Sequence, residues 1–276
     1  MSGVLVLCAT PIGNLGDMSQ RLIETLCSAD VVFAEDTRRS RVLLDAAGAA
    51  VPMRSYFAGN ETSRRDELVD RLTRGETVAL LTDAGMPGIS DPGLSAVRVA
   101  VEVGALVTAI PGPSAATMAV ALSGLPSERF VFEGFLPRKG AERRRRLEAL
   151  AGEERTTVLF VAPSRLAADL EDLAAALGAE RPMAVLRELT KLHEEVWRGS
   201  LGDGLGEWSA REARGEFTIV IGGATAPVPS LEEATRIARG LIEAGMSSAD
   251  AARRAADETG VARRLIYEAV HSAESR

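Results

Sequence analysis

The chain has 276 residues, 46% of them hydrophobic, with 39 acidic against 32 basic side chains and a formal charge of −7. That length points to two domains with room for a small third, and the apolar content excludes global disorder. The acid excess weighs against a broad nucleic-acid-binding surface, which needs Lys and Arg to neutralise phosphates, and there is no apolar run of about 18 residues to cross a membrane.

The N-terminus enters Val4-Leu5-Val6-Leu7 directly, with no basic stretch or cleavage site before it, so the chain reads as soluble and cytoplasmic. Cys8 and Cys27 are too few for a disulfide framework or a zinc site and are expected as core thiols. Up to residue 110, the apolar runs 3–8, 31–34, 78–81 and 105–110 read as buried strands, and segments 20–27, 37–47, 63–74 and 94–103 carry charges at helical spacing. Such alternation builds right-handed βαβ units on a mostly parallel sheet. A second series follows, with strands expected at 130–133, 157–161, 183–186, 194–199 and 217–221 and helices at 142–150, 166–177 and 205–214. The two strands around Lys191 leave no room for a helix between them, so this second sheet is expected to be mixed. Residues 222–230 are a linker by composition. Three helical segments, 231–244, 247–259 and 262–273, close the chain with a helix-turn-helix character around Gly260. Their Arg253, Arg254, Arg263 and Arg264 suit either nucleic-acid contact or a solvated helical cap, and the tail as a whole is not basic. The fold class is therefore α/β: an N-terminal α/β domain over 1–117, a second over 118–224 and a helical extension over 230–276.

In a parallel sheet, ligands bind outside the carboxyl ends of the strands. Three loops there are dense in Gly and Pro: 9–17, 82–93 and 111–116. Tight turns of this kind let main-chain N–H and C=O groups approach a ligand. No Gly-x-Gly-x-x-Gly or Gly-Lys-Ser/Thr sequence follows a strand, and no His or Cys spacing suggests a metal. Two charged clusters complete the inventory. Glu35-Asp36-Thr37-Arg38-Arg39 ends the second strand, where Asp36 or Thr37 could cap the next helix and Glu35 would need a partner if buried. Arg187 to Glu195 surrounds Lys191, one of only two lysines in the chain with Lys139, and could equally form a surface salt-bridge patch.

Six motifs stand in order: Thr10-Pro11-Ile12-Gly13-Asn14-Leu15, Ala34-Glu35-Asp36-Thr37-Arg38, Asp83-Ala84-Gly85-Met86-Pro87-Gly88-Ile89-Ser90-Asp91-Pro92-Gly93, Pro111-Gly112-Pro113-Ser114-Ala115, Glu133-Gly134-Phe135-Leu136-Pro137 and Glu188-Leu189-Thr190-Lys191. Together they resemble the tetrapyrrole-methylase-like (class III) S-adenosylmethionine methyltransferases, and among these the bacterial enzymes that methylate a cytidine 2′-hydroxyl in the decoding region of 16S rRNA. The resemblance implies a cleft between two α/β domains that holds S-adenosylmethionine. Thr10, Pro11, Asn14, Leu15, Asp83, Ala84, Gly85, Pro87, Ile89, Ser90, Pro113, Ser114 and Ala115 would line it. It also implies a homodimer and a 16S rRNA substrate, expected within the 30S subunit; neither a metal nor a membrane partner is expected from the residue spacing and hydropathy above. Two departures stand out: Met86 replaces a Thr common among relatives, and Val161-Ala162-Pro163-Ser164-Arg165 lacks the Glu and His usual there.

Lys191 and Glu35 or Asp36 are expected to assist the weakly nucleophilic hydroxyl, with Arg38 gripping a phosphate. Residues 136–146 pack six basic side chains, Arg138, Lys139, Arg143, Arg144, Arg145 and Arg146, against one acid, and are expected to bind RNA. The alternatives are a precorrin-type tetrapyrrole methylase, which should lack the basic tract and the tail, and a non-catalytic ribosome-binding factor with a vestigial methylase fold, which would not bind S-adenosylmethionine.

Overall fold

Alternating apolar and helical segments in the first half of the chain fold into one parallel sheet, as the computed structural model shows for the described residues, 2–224 and 230–272. Its elements are β1 (Val4–Cys8), α1 (Gln20–Ser28), β2 (Val31–Ala34), α2 (Thr37–Ala47), β3 (Met53–Ser55), α3 (Glu61–Thr73), β4 (Thr77–Leu81), α4 (Leu94–Glu102) and β5 (Leu106–Ile110). The strand order is β3-β2-β4-β1-β5, and every neighbouring pair is parallel. Helices cover both faces, which is why β2 and most of β4 are apolar throughout. In the pairing register Cys8 stands level with Leu81 and Ile110, and Ala34 with Leu81. Four strands therefore stop on one line, and their following loops leave from the same edge.

The second half begins with α5 (Ala115–Ser123), followed by β6 (Phe130–Phe135), α6 (Gly140–Ala151), β7 (Thr156–Val161), α7 (Leu166–Leu177), β8 (Pro182–Arg187), β9 (Glu195–Ser200), α8 (Leu201–Ser209) and β10 (Phe217–Ile221). The sheet order is β6-β7-β10-β8-β9, with β6 and β7 parallel and the other pairs antiparallel, so the sheet is mixed as expected. One face packs under α6, α7 and α8, with Leu159, Leu170, Leu173, Val185, Trp208 and Ile219 in the core. On the other face, Ala116, Ala119 and Val120 of α5 pack against Val158, Ala184, Leu186 and Val220, joined by Ile12 from the first half and Leu189 from the β8–β9 turn.

The structure corrects several expectations. A division after residue 117 would cut through α5, which lies on the second sheet. The helix expected over 205–214 is α8, four residues earlier, because Ser200 and Asp203 form a reciprocal capping box that starts it at Leu201. Cys8 is buried, and that burial pushes its thiol up to about 12, but Cys27 is exposed on α1 rather than in the core.

The same contrast appears in the basic tract, where α6 carries Arg143 on its inner face. Its guanidinium is buried, donates to Asp169 (2.8 Å), Asp172 (2.7 Å) and the carbonyl of Pro137 (2.9 Å), and so fastens α6 to α7. Arg143 is therefore a structural strut and not an RNA contact. Arg146, one turn on, pairs with the buried Glu133 of β6 at 2.6 Å. Arg138, Lys139, Arg144 and Arg145 remain exposed and without ion pairs among the described residues.

The unit Thr225–Arg276 is compact in its own right. Its helices α9 (Leu231–Glu243), α10 (Ser248–Thr259) and α11 (Arg263–Ser272) share a core of Ala234, Ala238, Ala251, Ala252 and Ala255 with Ile266 and Val270. Ser247 caps α10, and Gly260 ends it at the expected turn. Within this unit Arg253 pairs with Asp250 and Arg264 with Glu268. Linker residues 225–229 and the last four of the chain lie outside the described residues.

Arg143→Ala would leave Asp169 buried and unpaired, and is expected to lower stability by about 3–5 kcal/mol, whereas Arg144→Ala on the outer face should stay within about 0.5 kcal/mol. Urea unfolding followed by the fluorescence of Trp197 and Trp208, both in this half, checks the pair. Equal losses for the two variants would refute the sorting.

Candidate active site

The three Gly- and Pro-rich loops emerge together and are stitched to one another. Thr10 and Gly85 exchange two main-chain hydrogen bonds (2.9 and 3.1 Å), and the Thr10 hydroxyl donates to the carbonyl of Thr82 at 3.2 Å. Ala9 donates to the carbonyl of Ile110, which ties the third loop to the first. Pro11 and Ile12 are buried, while Gly13, Asn14 and Leu15 face solvent, with Asn14 capping the short turn Leu15–Asp17. Ser114 stands at the N-cap of α5 with its side chain unused by the cap. The hydroxyl of Thr82 is buried and without a partner among the described residues.

The second half closes over these loops at two points. The stem of Lys191 lies across Gly13 so closely that a β-carbon there would stand 2.5 Å from Lys191 Cγ, so another residue at position 13 would be strained at φ 154° and would push the lysine stem aside. A β-carbon on Gly134 of β6 would stand 3.3 Å from the hydroxyl of Ser90. Three non-glycine residues among those described have left-handed backbone, Ser90 (φ 64°), Glu188 (φ 51°) and Thr190 (φ 66°), and all three lie in the segments that meet here. Strain of this kind gathers at sites where side-chain direction matters.

On the first sheet's edge, acidic groups cluster at the ends of β2 and β4. Glu35 accepts from the main-chain N–H of Asp83 (3.2 Å), and Asp83 accepts from that of Asp36 (3.2 Å) while pairing with Arg39 at 3.1 Å. Asp36 caps α2 and binds the side chain of Arg38 through both oxygens, and the Arg38 hydrogen bonds draw its pKa down to about 2. Burial pushes the Glu35 carboxyl up, helped by the charges of Asp83 and Asp36 and opposed by the Asp83 N–H and Arg39. Asp91 is pushed up to about 6, by burial first and then by the negative charges of Glu35 and Asp83.

Of the three residues expected to be catalytic, Glu35 and Asp36 thus sit together beside Asp83, and Lys191 sits over the first loop with no bond to either among the described residues. Burial disfavours the Lys191 ammonium, but hydrogen bonds to Glu216 (2.8 Å) and Glu188 (2.9 Å) outweigh that and hold its pKa above the ordinary value. It is a fixed cation near neutral pH, so any assistance it gives the hydroxyl is that of a nearby positive charge. Arg38 keeps its side chain 90% exposed but is engaged with Asp36. Arg165, in the segment lacking Glu and His, binds Asp169 and the carbonyl of Arg138 and so belongs to the Arg143 network. Sequence reasoning passed over Asp91, Glu188 and Glu216. Asp91 had one visible signal, as the only acid besides Asp83 in the second loop. Among the described residues no group of three or more His, Cys, Asp or Glu is placed to hold a metal ion.

A family model described as Tetrapyrrole (Corrin/Porphyrin) Methylases matches residues 4–204. The chain is 45% identical over 269 residues to a protein of Synechocystis sp. named ribosomal RNA small subunit methyltransferase I, covering 96% of each chain. It is 48% identical over 272 residues to a protein of the same name from Mycobacterium tuberculosis, covering 98% of this chain and 95% of that one. Among solved structures, uroporphyrin-III C-methyl transferase from Thermus thermophilus complexed with S-adenosyl homocysteine superposes with a TM-score of 0.56 at 19% identity, over 80% of this chain and 97% of that one, which shows a common fold.

Asp91 carries a pH-dependent prediction. Its folded pKa stands above the unfolded value, so its contribution to stability is full below about pH 4 and is lost as pH rises through about 6. Asp91→Asn is expected to be the more stable protein at pH 7.5, by about 1 kcal/mol once solvent screening of a half-exposed group is allowed for, with the gap closing at pH 4. Urea unfolding at the two pH values checks this, and a gap that is absent at pH 7.5 or equal at both would contradict it.

Proposed function

The chain belongs to the tetrapyrrole (corrin/porphyrin) methylase family, and we propose that it transfers a methyl group from S-adenosylmethionine to the 2′-hydroxyl of a cytidine in the decoding region of 16S rRNA. One observation carries the RNA reading: identity of 45% and 48% along nearly the whole chain to proteins named as small-subunit rRNA methyltransferases. The structural neighbour that carries S-adenosyl homocysteine supports the methyl donor.

The residues present fit that donor. The stitched loops offer the main chain around Thr10, Gly85 and Pro113, the partnerless Thr82 hydroxyl and the uncommitted Ser114 side chain. An edge bearing Glu35, Asp36, Asp83 and Asp91 suits a cationic ligand. Thr10, Pro11, Asn14, Leu15, Asp83, Ala84, Gly85, Pro87, Ile89, Ser90, Pro113, Ser114 and Ala115 are the residues we assign to holding it. When bound, the donor supplies an electrophilic methyl group on a positively charged sulfur. The chain supplies the rest: it orients the two reactants, excludes water and receives a proton. Lys191, held by Glu188 and Glu216 over Gly13, keeps the β8–β9 turn fixed against the first loop.

RNA binding is assigned to Arg138, Lys139, Arg144 and Arg145, which are exposed and unpaired among the described residues, with Arg38 as a further phosphate contact. A cationic surface this local, on a chain of net charge −7, fits a substrate presented by a folded 30S particle. The same reading includes a homodimer and a cytoplasmic location. No described helix is long and apolar enough to cross a membrane.

Mapping 2′-O-methylation on 16S rRNA from a deletion strain, with and without the gene restored, tests the reading. A decoding-region cytidine should lose and regain its methyl group, and an unchanged map would refute the assignment. Arg144→Glu with Arg145→Glu should weaken RNA binding and lower the slope of log affinity against log salt by about 1 to 2. An unchanged slope would remove these residues from the interface.

A further inference from the structure

We propose that Asp91 is the general base of the methyl transfer, its carboxylate receiving the proton of the attacking ribose hydroxyl. The proposal rests on the methyltransferase reading and concerns a residue inside the Asp83–Gly93 motif to which the sequence analysis gives no role.

The argument proceeds by what each carboxylate at this edge already does. Both oxygens of Asp36 are taken by Arg38. Asp83 holds the Asp36 N–H with one oxygen and Arg39 with the other. Glu35 receives the Asp83 N–H, and Glu61 of α3 receives the N–H of Gly93. Asp91 alone in this group has neither a hydrogen bond nor an ion pair among the described residues, although it is half-buried. A carboxylate left without donors, partly out of water, is the least stabilised as an anion and so the readiest to take a proton.

The loop around Asp91 is built to hold it still. Gly88 donates to the carbonyl of Pro92 at 3.1 Å, closing a short turn across residues 88–92. Gly93 has φ 148°, and a β-carbon there would stand 2.9 Å from the nitrogen of Gly88, so only glycine closes the loop. Ser90, next to Asp91, is held in the left-handed region with its hydroxyl against Gly134 of the second sheet. Asp91 thus stands in a loop assigned to the donor, next to the residue by which that loop meets the second half.

The reaction then balances with no further reactant. The ribose oxygen forms a bond to the methyl carbon, the carbon–sulfur bond breaks with its electron pair remaining on sulfur, and the hydroxyl proton passes to Asp91, which later releases it to solvent. The groups that set the pH dependence are named by the packing. Glu35 from the end of β2 and Asp83 from the loop after β4 disfavour the Asp91 anion, Arg39 of α2 offsets Asp83, Asp36 is neutralised by Arg38, and Glu61 is committed to Gly93. With its pKa near 6, Asp91 is deprotonated at neutral pH and still basic enough to act.

The test uses the full chain with 30S subunits under single-turnover conditions from pH 5 to 8. The wild-type rate should fall about tenfold per pH unit below about 6 and level off above it. Asp91→Asn should lose on the order of 100-fold or more in rate at saturating S-adenosylmethionine, with no acid limb remaining. A second readout needs no turnover: in the ligand-free protein the Asp91 carboxyl carbon should titrate near pH 6 by NMR. If Asp91→Asn does not fold, the wild-type profile and the titration decide the matter, with Asp91→Glu expected to keep part of the rate and the acid limb. An Asp91→Asn enzyme as fast as wild type, a wild-type rate flat from pH 5 to 7, or a carboxyl titrating near 4 would overturn the proposal. Wild-type protein that methylates no small-subunit RNA would instead sink the functional reading on which it rests.

Discussion

The register of the first sheet governs what the rest of the chain can do. Cys8, Ala34, Leu81 and Ile110 end level with one another, so four polypeptide turns begin along one line of about strand-spacing intervals. Period-two geometry makes this exacting: a slip of one residue in β4 would turn the loop that follows it toward the opposite face. The two hydrogen bonds between Thr10 and Gly85 depend on that alignment, since they join loops that follow β1 and β4. The apolar composition of β2 and β4 is thus more than core filling. Helices on both faces fix the strands in height, and the height fixes the site.

A second constraint couples the halves. Ile12 leaves the first sheet's edge and enters a core made by α5, the second sheet and Leu189. Leu189 sits between two residues with left-handed backbone, Glu188 and Thr190, and the turn that bends so sharply also carries Lys191 back over Gly13. Apolar burial on one side of this turn and an ammonium between two carboxylates on the other hold it from both ends. Truncating Ile12 or Leu189 would therefore loosen the site as well as the core, although neither side chain has any chemistry of its own.

Much of this was legible in the sequence. Periodicity marked four of the five strands of the first sheet and all five of the second, and the absence of space for a helix near Lys191 marked the second sheet as mixed. Segment β3 was missed because three residues carry no period. Helix α5 was missed because Ala115–Ser123 has no polar face to alternate with, a consequence of its burial between the β1 loop and the second sheet. Helix α8 was displaced because Gly202, Gly204 and Gly206 weaken a helical signal that the Ser200–Asp203 cap restores. The loops of the site were found by composition. Their chemistry was not, because it turns on pairings between distant residues: Arg143 with Asp169 and Asp172, Arg146 with Glu133, Lys191 with Glu216. The lack of a partner at Asp91 is harder still to read, since a sequence names the carboxylates without showing which are already engaged.

Charge is the point on which the opening composition misleads most. An excess of seven negative charges describes no surface of the molecule in particular. Acidic groups collect at the ends of β2 and β4, where a cationic ligand would be favoured, while unpaired cations collect at Arg138, Lys139, Arg144 and Arg145 on the second half. Pairing sharpens this division further than sequence counting does. The ion pairs of Arg143 and Arg146 withdraw two charges from the basic tract, and Arg38 and Arg39 withdraw two from the acidic edge, leaving Glu35 and Asp91 there without an ion pair among the described residues. Two of the six arginines and lysines of the tract hold the fold, and the other four face solvent, Arg138 and Lys139 just before α6 and Arg144 and Arg145 on it. The acidic edge at β2 and β4 and the exposed cations Arg138, Lys139, Arg144 and Arg145 are thus local remainders of pairing, on two halves whose joint Ile12, Leu189 and Lys191 hold.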